Sequence, residues 1–100
     1  MPKIYEYLGL MFYFYSNEHE PIHVHATVSG RESIFDIIVD NGELTELKVR
    51  QANDRAPLKA NEQKMAHEFI QRYYKRIIAK WVDFFVMHKA VKSTVVRRRL

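Results

Sequence analysis

Along the first half of the chain, apolar side chains fall at alternate positions; along the second half they return every third or fourth residue. The first period belongs to strands and the second to a helix. Residues Ile4–Tyr7 and Leu10–Tyr15 are rich in aromatic and branched side chains, and Gly9 between them reads as a bulge or kink. Ser16 to Pro21 is polar and ends in proline, as a connecting loop does. Ile22–Val28 then alternates strictly: Ile22, Val24, Ala26 and Val28 point one way, and His23, His25 and Thr27 the other. Ser29-Gly30 is a turn signal, after which Glu32–Val39 resumes as a strand. Asn41-Gly42 supplies the positive φ angles of a type I′ hairpin turn, and Leu44–Val49 follows as a shorter strand. The pattern predicts an antiparallel meander of four to five strands over residues 3–49.

From Pro57 onward there is neither glycine nor a further proline. Ala66, Phe69, Ile70, Tyr73, Ile77, Trp81, Phe84 and Phe85 recur at helical spacing, and Asn61 is placed to cap. Glu68, Arg72, Lys75, Arg76, Ala79 and Asp83 fall on the other side. A helix from about 60 to 89 would be roughly 45 Å long, more than one sheet needs, so its end bends or projects. The fold class is α+β, with one sheet face covered by a long C-terminal helix. Phe69, Tyr73, Ile77 and Trp81 are expected to bury Val24, Ala26, Phe35 and Ile37. Residues 1–91 form the single domain in this reading, and 92–100 a basic, flexible tail.

With 100 residues, 47% of them hydrophobic, the chain can build one core. It has no cysteine, which excludes disulfides, thiolate zinc sites and a cysteine nucleophile. No run approaches the roughly 18 apolar residues of a membrane span, and the N-terminus lacks a signal-peptide core. A cytoplasmic protein without membrane attachment is expected. Charge is divided sharply: residues 1–50 hold four basic and eight acidic side chains, and residues 51–100 twelve and four. After Asp83 come Lys89, Lys92, Arg97, Arg98 and Arg99 with no acidic side chain among them. Such a segment attracts RNA or another polyanion, and these five are the candidate nucleic-acid contacts.

The candidate chemistry lies in the histidines. His19, His23 and His25 occur within seven residues, interleaved with Glu18 and Glu20. His-x-His on a strand puts both rings on one face, about 6–7 Å apart. If Ser29-Gly30 is a two-residue turn, Val28 meets Arg31, His25 meets Ile34, and His23 meets Asp36. Val24 and Ile22 then meet Phe35 and Ile37, so the apolar sides coincide; a one-residue slip would destroy that match. Asp36 beside His23 would fix its tautomer for acid–base work. His23, His25 and Asp36 are the candidate catalytic residues. His19, His23 and His25 are the alternative ligand set for a divalent metal such as Zn²⁺, although no cofactor is required by the pattern.

The same residues carry a resemblance. Gly9-Leu10-Met11-Phe12-Tyr13-Phe14-Tyr15, followed by Glu18-His19-Glu20-Pro21-Ile22-His23-Val24-His25-Ala26, resembles the signature of the bacterial family called domain of unknown function 4160. The Asn41-Gly42 turn and the closing Trp81 fit as well, whereas Ile22 stands where the family usually has a second proline. The resemblance covers about residues 1–85 and leaves the basic tail outside. It implies a small prokaryotic protein of undetermined biochemistry, often encoded beside a partner of the domain of unknown function 2442 type. Some such pairs are proposed as toxin–antitoxin modules.

Three function classes follow. The foremost is an interaction module paired with a neighbouring small protein, as a toxin–antitoxin-like component. The second is a toxin-like ribonuclease or RNA binder using the histidine cluster. The third is a His-ligated metal-binding protein. Oligomeric state is not encoded in any of these patterns.

Overall fold

The fold is that of a computed structural model, described for residues 2–14 and 22–100. Its elements are β1 (Lys3–Tyr7), β2 (Leu10–Tyr13), β3 (His23–Val28), β4 (Arg31–Asp40), β5 (Glu43–Gln51), α1 (Ala60–Trp81) and β6 (Thr94–Val96). One sheet contains all six strands in the order β5-β4-β3-β2-β1-β6. Every pairing is antiparallel except that of β6, which runs parallel to β1. The class is α+β, as the two periodicities predict. Among the described residues, no helix is long and apolar enough to cross a membrane.

The β3–β4 register is the expected one: Val28 faces Arg31, His25 faces Ile34, Val24 faces Phe35 and His23 faces Asp36. Ser29 and Gly30 both have positive φ, 50° and 79°, which lets two residues close the hairpin. Gly9 departs from expectation. Tyr7 pairs with Leu10, so Leu8 and Gly9, at φ 47° and 92°, form a two-residue turn and not a bulge. The irregularity lies at Ile4: Lys3 faces Tyr13 and Tyr5 faces Phe12, leaving Ile4 over. Ile4 and Tyr5 are consequently both buried although adjacent.

The core occupies the helix side of the sheet. Val24, Ala26, Phe35 and Ile37 are buried there beneath Ala66, Phe69, Ile70, Ile77 and Trp81. The Phe69 ring stacks at 4.9 Å on both Tyr7 and Phe12. Burying such a ring contributes roughly 1.5–3 kcal/mol. Tyr73 is half-buried and not fully covered: its ring lies flat on Phe69 at 4.4 Å, and the Arg76 guanidinium stands 5.4 Å from its centroid.

Both helix ends differ from the expectation. Asn61 is not the cap; Lys59 is, and its backbone N–H donates to Glu62 Oε1 at 2.8 Å. Just before it, the Leu58 N–H donates to Ser33 Oγ at 3.1 Å, so β4 fixes where the helix begins. At the other end α1 stops at Trp81 and gives way to a π-helical turn over Val82–Val86. The wider turn re-aims Phe84 and Phe85 at Phe14, with centroids 6.4 and 5.8 Å away. His88 at φ 55° and a Lys89 N–H bond to the Asp83 carbonyl at 2.8 Å then reverse the chain.

Beyond that reversal, the segment expected to be a flexible tail contains β6. Its anchor is Lys80, whose ammonium donates to the Ile4 carbonyl (2.9 Å), the Lys92 carbonyl (2.8 Å) and Thr94 Oγ1 (3.1 Å). The same ammonium sits 4.1 Å above the Tyr5 ring, a cation–π contact. The carbonyl exposed by the Ile4 irregularity is thus satisfied by the helix and tied to β6. At the chain end, the Leu100 N–H donates to the Tyr7 hydroxyl at 3.1 Å.

Candidate active site

Helix packing claims one face of the sheet, so strand alternation sends the odd residues of β3 and the even residues of β4 and β5 to the opposite face. His23, His25 and Thr27 stand there beside Glu32, Ile34 and Asp36, with Lys48 and Arg50 beyond. Among the described residues no helix packs on this face, and three of its polar side chains are buried. His25 is 6% exposed, Glu32 3% and Asp36 6%.

Two contacts join these side chains to polar neighbours on the same face. His25 Nδ1 lies 2.9 Å from Glu32 Oε2. A carboxylate can only accept, so Nδ1 is the donor in this contact. Arg50 grips Asp36 bidentately, Nε to Oδ2 at 2.9 Å and Nη2 to Oδ1 at 2.8 Å. Next to the first pair, Arg55 Nε stands 4.0 Å from Glu32 Oε1. The His23 and His25 rings are neighbours, with centroids 5.6 Å apart and planes inclined at 57°. A cleft of about 260 Å³ opens beside Glu32 and Arg55, walled by Gly9, Met11, Tyr13 and Thr27.

Of the expected catalytic residues, His23, His25 and Asp36 share this face. His23 and Asp36 are direct cross-strand neighbours, but both Asp36 oxygens receive Arg50. Among the described residues, Glu32 is placed to orient the imidazole of His25. Glu32 and Arg50 were not singled out because each lies diagonal to its partner. Glu32 is two residues from Ile34, the residue facing His25, and Arg50 is two residues from Lys48, which faces Asp36. Diagonal same-face neighbours are about 7–8 Å apart, within reach of long side chains. That rule would have found both.

His19, the third member of the alternative metal set, lies outside the described residues. Among the described residues, no group of three His, Asp or Glu side chains is placed to hold a metal ion. Lys89, Lys92, Arg97, Arg98 and Arg99 are all exposed. Arg97 follows β6 and lines a cleft of about 340 Å³ with Glu6, Leu8 and Gly9. Gly9 also borders the cleft beside Glu32, so the two openings adjoin.

The comparison with known families bears on the same segment. The family described as Domain of unknown function (DUF4160) matches residues 9–82. The chain belongs to the DUF4160 family. The matched span includes β2 to β5, the whole of α1, and every polar residue of the open face named above. It ends at Val82, ahead of β6 and the basic segment. No curated protein and no solved structure matches the chain. The DUF4160 match spans the histidine block.

Proposed function

We propose that the open sheet face is an acid–base site that cleaves RNA. The observation that carries this reading is the buried His25–Glu32 pair. Buried ionised groups are weak contributors to stability, because desolvation offsets their attraction. The position of Glu32 on the wall of a cleft supports a functional reading of the pair. An RNA phosphodiester needs only such groups, since its own 2′-hydroxyl is the nucleophile. His25 Nε2 takes the 2′-hydroxyl proton as the oxygen attacks phosphorus. The bond from phosphorus to the 5′-oxygen breaks, and protonated His23 gives that oxygen a proton. Arg55 stabilises the charge on phosphorus, and Lys89, Lys92, Arg97, Arg98 and Arg99 draw the polyanion in. A site of this kind works in the cytoplasm.

The test is incubation of labelled RNA with the full chain and with His25→Asn, His23→Asn and Glu32→Gln. Cleavage by the wild type, lowered roughly 10²–10⁴-fold in both histidine variants, is expected. Glu32→Gln should retain more activity than His25→Asn. Thermal melts of all variants separate lost chemistry from lost fold. Intact RNA with folded wild-type protein would rule the reading out.

A second reading has an observation of its own. β5 is a nine-residue strand at the end of the sheet, with β4 as its neighbour. Sheet edges of this length recruit another chain, which supports an interaction module. The neighbouring small protein of a toxin–antitoxin-like pair is one candidate partner. Co-expression with the adjacent gene product, followed by copurification that survives His25→Asn, is the expected result of that arrangement.

A further inference from the structure

The outer edge of β5 is about 30 Å long at 3.4 Å per residue and contains no proline. Its Thr45 is the extra residue of a bulge, since Ile38 faces Glu46 and Val39 faces Leu44; Thr45 Oγ1 donates to the Ile38 carbonyl at 3.1 Å. Beyond the bulge the strand alternates regularly. Leu47 and Val49 point to the helix side, opposite Ile37 and Phe35, and Glu46, Lys48 and Arg50 to the open face. Leu47 is half-buried and Val49 is 38% exposed, so apolar surface is incompletely covered at this edge.

We infer that β5 pairs with β5 of a second copy of the chain, antiparallel about a two-fold axis at Leu47. This deepens the interaction-module reading by naming its partner. Parity limits the choice of register, because directly opposed residues must share a face. Centred on Leu47, Glu46 faces Lys48 of the copy and Lys48 faces Glu46 of the copy. Two ion pairs form, and Leu47 meets its own image on the helix side. Moving the centre to Glu46 or Lys48 sets that charged residue against itself. Like charges directly opposed across strands are destabilising. Arg50 does not alter this choice, since its guanidinium lies on Asp36. Edges that avoid self-pairing often carry charges of one sign; this edge carries opposite signs two residues apart, which a two-fold axis makes complementary. The dimer extends one sheet through both chains, with both helices on one side and both histidine faces on the other.

Sedimentation velocity of the full chain at low salt tests the inference. The wild type should sediment as a species of twice 12.0 kDa. Glu46→Lys and Lys48→Glu, each turning two attractions into repulsions, should weaken association by about tenfold or more. The double exchange, Glu46→Lys with Lys48→Glu, should restore it, and raised salt should weaken the wild-type dimer. Both residues are exposed, and thermal melts confirm that each variant is folded. Single reversals that associate as well as the wild type would overturn the inference. A monomer that forms a one-to-one complex with the neighbouring small protein would overturn it while leaving the interaction module standing. A monomer that captures neither would end both.

Discussion

Replacing Lys80 by methionine keeps the aliphatic stem and removes only the ammonium. Three hydrogen bonds are lost, to the Ile4 carbonyl, the Lys92 carbonyl and Thr94 Oγ1, together with the contact over the Tyr5 ring. At about 1 kcal/mol net for each hydrogen bond and about 0.5–1 for the cation–π contact, the gross loss is ~4 kcal/mol. Burial already penalises the ammonium, as its lowered pKa shows, and removing it recovers part of that cost. A net destabilisation of about 2–3 kcal/mol is expected. The loss should be concentrated where the ammonium acts. Urea unfolding gives the total, and hydrogen exchange at Thr94, Val95 and Val96 gives the location. Whichever of these amides bond to β1 should lose protection in Lys80→Met before the amides of β3 and β4 do. A loss under ~0.5 kcal/mol with β6 still protected would show that Lys80 is not the anchor, and that strand pairing alone holds the chain end.

Further outcomes follow from the same structure. Lys80 has a folded pKa below 10.5, so its penalty is fully present under the folded value and disappears as pH rises toward 10.5; its contribution to stability therefore increases with pH in that window. Tyr5 is shifted the other way, raised above 10.0 mainly by burial, so its contribution falls as pH rises past 10.0; alkaline melts of Lys80→Met should lose the rise due to Lys80 and keep this decline. Arg50→Met leaves the buried Asp36 carboxylate without its bidentate partner and should cost about 1–3 kcal/mol at neutral pH, measured by urea titration, with Asp36→Asn in the same background recovering part of it. Deleting residues 93–100 removes β6 and its basic side chains, so it should lower both the melting temperature and RNA retention; Arg97→Gln with Arg98→Gln and Arg99→Gln should lower retention alone, and the wild-type retention should fall steeply with salt.

The parts of this fold that are legible in the sequence are those governed by short-range rules. Ser29-Gly30 and Asn41-Gly42 announce their turns, and the β3–β4 register follows from matching apolar parity across the first of them. The helix face follows from spacing. What is not legible depends on contacts distant along the chain. Thr94-Val95-Val96 are all β-branched, yet three residues are too few to identify a strand without a partner; that strand forms where β1 has an available edge and Lys80 spans the gap. The helix stops short because Phe84 and Phe85 meet Phe14, some seventy residues earlier. In the site, direct opposition brought His23 and Asp36 into view, whereas the contacts that form are diagonal, His25 with Glu32 and Asp36 with Arg50. Long side chains make diagonal partners available, and the bidentate geometry of arginine makes Asp36 a better partner for Arg50 than for an imidazole.

The central claim is that His25, oriented by Glu32, exchanges a proton with the 2′-hydroxyl of RNA. The most direct measurement is mass spectrometry of the ends left on a short RNA by wild-type protein and by His25→Asn. Attack by the 2′-oxygen predicts a 2′,3′-cyclic phosphate, or the 3′-phosphate from its hydrolysis, opposite a 5′-hydroxyl, with these ends missing from the His25→Asn digest. Uncut RNA, 5′-phosphate and 3′-hydroxyl ends, or identical products from His25→Asn would contradict the account.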